Sequence, residues 1–467
     1  MSLEMKFLKN PNQNLAENYA KLPPCSGALV PFLGVLSILV LVYAIWLITF
    51  WPGVLGEDSL AILLEVQTRG EFQSGKPAFW YFFVKTFFMP GALIEGPIGF
   101  QLLLSAIIFS RILSWCWAYG LKKIFVFLLI FICLAPHMIF FMGSLYPDGI
   151  FSVAVAGLLF EFWLITKTRH VSLASLGILL IAFPIAVFAR TNGAVFLLAV
   201  VYVAAILPKN DRIKIVAVSL VWCALVVMGD KMHKTYSHGA IYPLVIFETA
   251  NFLQPRPMNL WREKPRVSEK TIQTLTKYQP LEKIIQNYDR DYWDPLQYKP
   301  DGPKLGNIDR KDQKIIVKEF LRHNLWQNIP AFVSSRVNVF MVAALAQGGM
   351  VSIDYASQVI PKIKTPSTFR YFQWNTLESR LKSVHAFSEK YRWLLWTPFL
   401  GMVLLFMMLR RAYHVRSPEV LVVALPMGIQ LVAIFVFSIA GEYRYLLPFF
   451  TLPLVALPAL AVAAREK

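Results

Sequence analysis

The chain has 467 residues, of which 56% are hydrophobic and 16% are charged, and its formal net charge is +18. Soluble domains carry about 25% charged residues, and here long apolar runs alternate with short charged ones, so the composition excludes an ordinary soluble protein. Basic cytoplasmic loops of a membrane protein explain the surplus of lysine and arginine, so nucleic acid is not an expected partner.

Ten apolar segments have a length that suits a membrane crossing, which needs about 20 mostly apolar residues. They lie at 31–51, 97–118, 124–142, 149–165, 172–189, 193–207, 213–229, 392–409, 418–440 and 445–463. The sequence therefore predicts an all-α integral membrane protein with ten or eleven transmembrane helices. No cleavage pattern precedes the first run, so we interpret it as a retained helix and not as a removed signal peptide.

Basic residues cluster in alternate connections between these segments. Examples are Lys122 with Lys123, Lys209 with Lys214, and Arg410. With ten spans all such clusters fall on one face, which the positive-inside rule predicts to be cytoplasmic together with both termini. We expect a multi-pass protein of the plasma membrane, in a bacterium the inner membrane, whose other connections face the periplasm or the outside.

The spans divide the chain into three regions. These are an N-terminal membrane module at 1–229 with a long outer loop at 52–96, an outer region at 230–391, and a C-terminal membrane module at 392–467. Within the outer region, 260–328 has the composition of a small folded cap. Helices are predicted near Ser268–Tyr278 and near Asp309–Leu325, and Asp309 is a suitable N-cap for the second.

One segment of the outer region, 329–346, is apolar enough to cross the membrane. Counting it as a span would move Arg410 and Arg411 to the outer face and break the charge pattern. We therefore interpret it as an interfacial or re-entrant helix on the outer leaflet, with lipid as its neighbour.

The first outer loop carries ionisable residues close to the membrane. Glu57 and Asp58 directly follow the first span, and such groups near membrane depth are costly and often functional. Alternatively, Asp58 or Ser59 caps a helix that runs to Gln67. Lys76, later in the loop, could either extend towards the membrane surface or hold a phosphate as a point charge.

The other outer connections repeat this pattern. The short turn 145–149 contains Tyr146 and Asp148, the turn 189–193 contains Arg190 and Asn192, and the turn 441–445 contains Glu442, Tyr443 and Arg444. Side chains that merely extend to the membrane surface would be lysine and arginine only. Acids beside bases instead indicate a polar cavity, in which the bases suit a phosphate and the acids suit a general base.

Several common catalytic and nucleotide-binding motifs are absent from the sequence. It contains no P-loop, no dinucleotide-binding fingerprint, no HExxH and no G-x-S-x-G, and its four cysteines are scattered. No cofactor is assigned and no metal site is predicted. A divalent cation is compatible with the sequence only if Glu57, Asp58 and Asp148 converge.

These motifs resemble those of the GT-C superfamily of membrane glycosyltransferases. Glu57 and Asp58 stand where that family has an acid in its first outer loop, and Asp148 where it often has a second. The segment Gly75–Pro77 is similar to a Lys-Pro-Pro element of the aminoarabinose and protein O-mannosyl transferase branches, although Ala78 replaces the second proline. The segment Glu442–Pro448 resembles the start of the last helix in that family.

The resemblance implies a GT-C fold and a sugar donor carried on a polyprenyl phosphate. It implies that Lys76, Arg190 and Arg444 neutralise the donor phosphate, while Asp58 accepts a proton from the acceptor hydroxyl and Asp148 or Glu57 assists. The acceptor would be a glycan, a lipid or a protein. The neighbouring side chains expected to contact substrate are Asn192, Tyr146, Glu442 and Tyr443.

Two other classes of function stay open. A transporter or flippase of lipids or glycans would place its site near the bilayer midplane, whereas the ionisable residues here gather at one face. A glycan ligase or polymerase also uses polyprenyl-linked donors and a large basic outer loop. The distribution of charge favours the glycosyltransferase.

Overall fold

The computed structural model describes residues 29–233, 241–255, 266–349 and 351–465. Within these ranges the chain is helical apart from its connections, and three isolated bridges are its only β pairing. Seven of the described helices are long and apolar enough to cross a membrane: Leu29–Thr49, Glu95–Ala118, Pro147–Thr168, Lys209–His233, Arg392–Val415, Pro418–Phe437 and Tyr443–Arg465. The prediction of an all-α multi-pass membrane protein is thereby confirmed.

The other three predicted spans are helical but shorter or broken. Residues 124–142 form two helices, Lys122–Cys133 and Pro136–Met142, which meet at an angle of 64°. Pro136 explains the break, because proline has no amide hydrogen to donate and disfavours helical backbone at the residue before it. The other two are Leu173–Phe188, which has 16 residues, and Thr191–Ile206. The count of ten spans therefore stays a prediction.

One helix, Pro147–Thr168, lies at the centre of the membrane part. Its apolar window is wholly buried, and Glu95–Ala118, Leu173–Phe188 and Pro418–Phe437 pack around it. In contrast, only 11% of the corresponding window of Lys209–His233 is buried. Pro147–Thr168 is therefore central to the bundle. Lys209–His233 is peripheral, and its apolar surface suits contact with lipid.

The long loop at 52–96 contains a short helix, Glu57–Gln67. Its predicted end at Gln67 is confirmed, but the prediction that Asp58 or Ser59 caps it is wrong. The N-cap is instead Gly56, two residues before Asp58, and the Ser59 hydroxyl accepts a hydrogen bond from the Gly56 amide at 3.1 Å. The Asp58 side chain is therefore not used for capping and points to other partners.

The central segment, 241–391, has a hydrophobic cluster of its own, which includes Leu275, Leu296 and Phe320. Both predicted helices of this region are confirmed, with Ser268 and Asp309 as their N-caps. The described α-helices of the segment are Ile241–Phe252, Glu269–Thr276, Leu281–Gln286, Asp294–Gln297, Arg310–Glu319, Leu325–Gln327, Ile329–Ala344, Ala356–Val359 and Asn375–Lys390. A π-helical turn, Phe320–Asn324, joins Arg310–Glu319 to Leu325–Gln327.

The helix Ile329–Ala344 corresponds to the segment that we interpreted as interfacial. It has 16 residues and packs against Ile241–Phe252 and Pro418–Phe437. Its Arg336 is fully buried and forms an ion pair with Glu248, which is equally buried. Because a buried charge needs a partner, this pair explains how the apolar helix tolerates an arginine.

Candidate functional site

Backbone hydrogen bonds hold the start of the loop at 52–96 beside the turn at 145–149. The Val54 amide donates to the Gly143 carbonyl at 3.0 Å, and the Leu145 amide donates to the Val54 carbonyl at 3.1 Å. Asp58 lies four residues after Val54, and Asp148 lies three after Leu145. Two acids that are 90 positions apart in the sequence are therefore held on the same side of the helix bundle.

Arginine and lysine side chains from three further places meet these acids. The Lys76 ammonium lies 2.6 Å from the Asp58 carboxylate, and the Arg444 guanidinium lies 2.5 Å from the same carboxylate oxygen. Arg444 also lies 3.8 Å from Asp148, which forms a closer ion pair with Arg190. We call this group the ion cluster; with Glu442, which pairs with Arg444, it comprises Asp58, Lys76, Asp148, Arg190, Glu442 and Arg444.

The ion cluster has equal numbers of acids and bases and is only partly open to solvent. Burial alone would raise the pKa of the Asp58 carboxyl, yet the charges of Lys76 and Arg444 hold that pKa below its ordinary value. Burial lowers the pKa of the Lys76 ammonium, and it lowers the pKa of the Arg190 guanidinium to about 10. Cations that have lost part of their water bind an incoming anion more strongly than exposed ones do.

Two tyrosine rings support the guanidinium groups. The centre of the Arg444 guanidinium lies 5.1 Å from the Tyr146 ring and 5.6 Å from the Tyr445 ring, and that of Arg190 lies 4.9 Å from Tyr445. These are cation–π distances. Tyr146 was predicted, whereas Tyr445 was missed although it directly follows Arg444 in the same short turn.

Lys76 is positioned by residues that the sequence did not reveal. Its amide donates to the Ser74 hydroxyl at 3.3 Å, and Ser74 in turn donates to the buried carboxylate of Glu65. His233 lies 2.8 Å from that carboxylate and stacks on the Tyr81 ring at 3.6 Å. Glu65 looks like an ordinary helix residue and His233 is 168 positions away, so no sequence signal links them.

Apart from Tyr146, which contacts Arg444, three predicted residues lie outside the ion cluster. Glu57 accepts a hydrogen bond from the Tyr355 hydroxyl of the central segment. Tyr443 is buried against His137 and Trp396, and the Asn192 side chain forms none of the contacts within the ion cluster. Among the described residues, no three of the His, Cys, Asp and Glu side chains are arranged to hold a metal ion.

The central segment forms one wall beside the ion cluster. The Trp293 amide donates to the Ile439 carbonyl at 3.1 Å, and the Gly441 amide donates to the Asp291 carbonyl at 2.8 Å. An isolated β-bridge between Gly348 and Glu442 adds a further contact between the two regions. The sequence did not predict this contact, because both partners are short loops without a recognisable strand pattern.

The ion cluster contains residues from four connections between helices, and these belong to both the N-terminal and the C-terminal membrane module. Its cations, acids and tyrosines form a small polar site at the ends of Pro147–Thr168 and Tyr443–Arg465. No protein-family model, curated protein or solved structure matches this chain.

Proposed function

We propose that this chain is a membrane glycosyltransferase of the GT-C type. It would move a sugar from a polyprenyl-phosphate donor to a hydroxyl group of a glycan, lipid or protein. The observation that supports this proposal best is the convergence of Lys76, Arg190 and Arg444, from three separate connections, around two acids. Such a group of cations suits a phosphate, which is the leaving group of this reaction.

The cations contribute to catalysis by neutralising charge that develops on the leaving phosphate. Lys76 offers a point charge, while the guanidinium groups of Arg190 and Arg444 can each donate two parallel hydrogen bonds. Before the donor binds, Asp58 and Asp148 keep these groups together and orient them. Fixed charges in a site with little water require no rearrangement when the bond breaks.

The position of the ion cluster at the ends of apolar helices suits a donor that stays in the bilayer. The polyprenyl chain would remain among lipids while its phosphate reaches Arg444, at the start of the last apolar helix. We assign the site to the periplasmic or outer side of the plasma membrane. Nucleotide sugars are absent there, so a lipid-linked donor is the chemically reasonable source of an activated sugar.

Binding of the carrier alone tests this proposal without knowledge of the sugar. We expect purified protein in nanodiscs to bind undecaprenyl phosphate, and Lys76→Met and Arg444→Gln each to weaken binding about 10-fold or more, since a hydrogen bond to a charged group contributes about 1.5–3 kcal/mol. Lys123→Met and Arg410→Gln, which remove the same charges from exposed positions outside the ion cluster, serve as matched controls.

Two results would contradict the proposal. One is equal binding of undecaprenyl phosphate by the Lys76→Met and Lys123→Met variants. The other is movement of the lipid-linked sugar across vesicle membranes without any transfer to an acceptor, which would favour a transporter.

A further inference from the structure

We propose that a polar cavity in the central segment binds a saccharide, and that the acceptor of the transferred sugar is therefore a glycan. The cavity has a volume of about 480 Å³, which is typical of small-molecule sites. It is lined from the helices Ile241–Phe252 and Ile329–Ala344 and from the loop after Leu281–Gln286. The binding of saccharide stands on this cavity alone, whereas its role as acceptor rests on the proposed function.

Three amide side chains line the cavity and use their nitrogen atoms to bind the protein itself. Asn251 and Gln254 each donate to a backbone carbonyl, at 3.3 and 3.0 Å. Asn338 donates to the Asp291 carboxylate at 2.6 Å. Among the described residues no hydrogen bond uses the three amide oxygens, and none of these oxygens is buried without a partner. They are therefore open acceptors in the cavity wall.

Hydroxyl groups and one aromatic ring complete the wall. Ser334, Ser335 and Tyr288 also line the cavity, and a tyrosine offers both an apolar ring and a polar hydroxyl. A sugar presents many hydroxyls, each a donor and an acceptor, on a ring with apolar C–H faces, so these groups complement it. A lipid tail would need an apolar wall, but among the described residues Pro330 and Ala331 are the only aliphatic ones that line the cavity.

The cavity wall is held by a buried ion pair. Glu248 and Arg336 are paired, and both side chains are 0% exposed. The Glu248 carboxylate also accepts hydrogen bonds from Asn251 at 3.0 Å and from Ser335 at 2.8 Å. Two lining residues are thus fixed by one carboxylate that is itself fixed by its partner. Such support from behind keeps the polar groups of a binding site in place before the ligand arrives.

The same wall is bonded to the connection that carries the ion cluster. Asp291, which holds one of the three amides, accepts a hydrogen bond at its backbone carbonyl from the Gly441 amide at 2.8 Å. The next residue, Glu442, belongs to the ion cluster. Arg336 donates to the carbonyl of Ser438, at the start of this connection. A saccharide in the cavity is therefore held at a fixed position relative to the cations that would bind the donor phosphate.

Saturation-transfer difference NMR tests the cavity without a donor. Protein in nanodiscs is mixed with disaccharides of glucose, galactose, mannose, N-acetylglucosamine or glucuronic acid, the last because the exposed Arg290 also lines the cavity; empty nanodiscs are the blank. We expect the wild type to saturate at least one disaccharide, and Ser334→Trp, which fills the cavity, to lose this signal. Val333→Trp, the same change at the neighbouring exposed position outside the cavity, should keep it.

A smaller change tests the same site if tryptophan at position 334 disturbs the fold. Gln254→Ala removes one acceptor oxygen and should weaken binding of that disaccharide about 2- to 10-fold, as expected for the loss of one hydrogen bond. Gln358→Ala, at an exposed glutamine of the central segment outside the cavity, should leave the affinity unchanged. Equal affinities of these two variants would contradict the site.

The two proposals fail in different ways. A wild type that saturates no disaccharide, or equal signals from Ser334→Trp and Val333→Trp, overturns the saccharide site, while binding of undecaprenyl phosphate by the same sample leaves the glycosyltransferase standing. A wild type that binds a disaccharide but no undecaprenyl phosphate keeps the cavity and loses the proposed function. With undecaprenyl-phosphate hexoses as donors, we expect transfer to the disaccharides that bind, and transfer only to lipid or protein would overturn the glycan acceptor.

Discussion

At the scale of single residues, the contact between Asp58 and Arg444 shows how the site balances its charges. Lys76 and Arg444 both donate to the same carboxylate oxygen of Asp58, at 2.6 and 2.5 Å. Each cation would repel the other if the acid were absent, so the acid is what allows two positive groups to stand side by side. In the proposed reaction a phosphate would take the place of this acid, because phosphate has the same sign and more oxygen atoms.

Partial burial and the negative charges of Glu442, Asp58 and Asp289 raise the pKa of the Asp294 carboxyl, in the central segment, to about 6, and this shift predicts an effect on stability. The folded protein holds the Asp294 proton up to a higher pH than the unfolded chain, so the wild type loses stability as pH rises from about 4 to about 6. Asparagine resembles the protonated acid. We therefore expect Asp294→Asn to melt at a higher temperature than the wild type at pH 7.5 and at the same temperature below pH 4.

Thermal unfolding in nanodiscs over this pH range measures the effect. Asp301→Asn, in which an exposed acid of the same segment is changed, is the control. A lower melting temperature of Asp294→Asn at pH 7.5 would show that the carboxylate stabilises the fold and would contradict the assigned pKa direction.

The sequence predicted all six residues of the ion cluster, and the reason is physical. Asp148 and Arg190 stand in very short turns between apolar helices, where an ionisable side chain has few places to go. Lys76 and Arg444 were likewise predicted beside acids of the opposite sign. In contrast, the contact of the central segment with the last connection joins irregular loops, Trp293 to Ile439 and Asp291 to Gly441, and no local sequence pattern predicts it.

At the scale of helices, the site is built from helix ends. Asp148 stands in the first turn of Pro147–Thr168, and Arg444 stands at the start of Tyr443–Arg465. The length and composition of the apolar runs predicted these helices well, because insertion into an apolar environment depends on composition. They did not predict the 64° bend between Lys122–Cys133 and Pro136–Met142, where Pro136 interrupts the helix.

Close helix packing gives a second prediction. A Cβ atom added at Gly401 would lie 1.7 Å from the Phe449 carbonyl oxygen, whereas one added at Gly428 would meet nothing nearer than 3.9 Å. We expect Gly401→Ala to destabilise the protein by about 1–3 kcal/mol, because backbone atoms must move apart. Gly428→Ala should be neutral or stabilising by up to about 1 kcal/mol, because alanine favours a helix.

The measurement is the loss of folded protein with heating, followed by size-exclusion chromatography in detergent for both variants. Equal melting temperatures for Gly401→Ala and Gly428→Ala would mean that Arg392–Val415 is not held against the last helix as closely as described.

At the scale of the whole molecule, the predicted topology separates the central segment from the basic connections. With ten spans, Gln286 faces the outside and Tyr413 faces the cytoplasm, and both side chains are exposed. We expect an impermeant maleimide to label Gln286→Cys, but not Tyr413→Cys, in intact cells from which the outer membrane has been removed. The four native cysteines are first changed to serine.

Permeabilised cells, in which both positions should react, provide the control for accessibility. Labelling of both cysteines from the same side in intact cells would contradict the ten-span topology. It would also place Ile329–Ala344, which joins the two regions, across the membrane.

The bond between Asp58 and Arg444 connects positions that are 386 residues apart, which has a consequence for biosynthesis. Synthesis runs from the N-terminus, so Asp58 and Asp148 leave the ribosome long before Arg444 exists. Until the last apolar helix has been inserted, the nascent chain carries acids beside the bilayer that lack one of their partners, which is costly there. The contact that assembles the site therefore also distinguishes a chain with its last helix in place from one arrested before it.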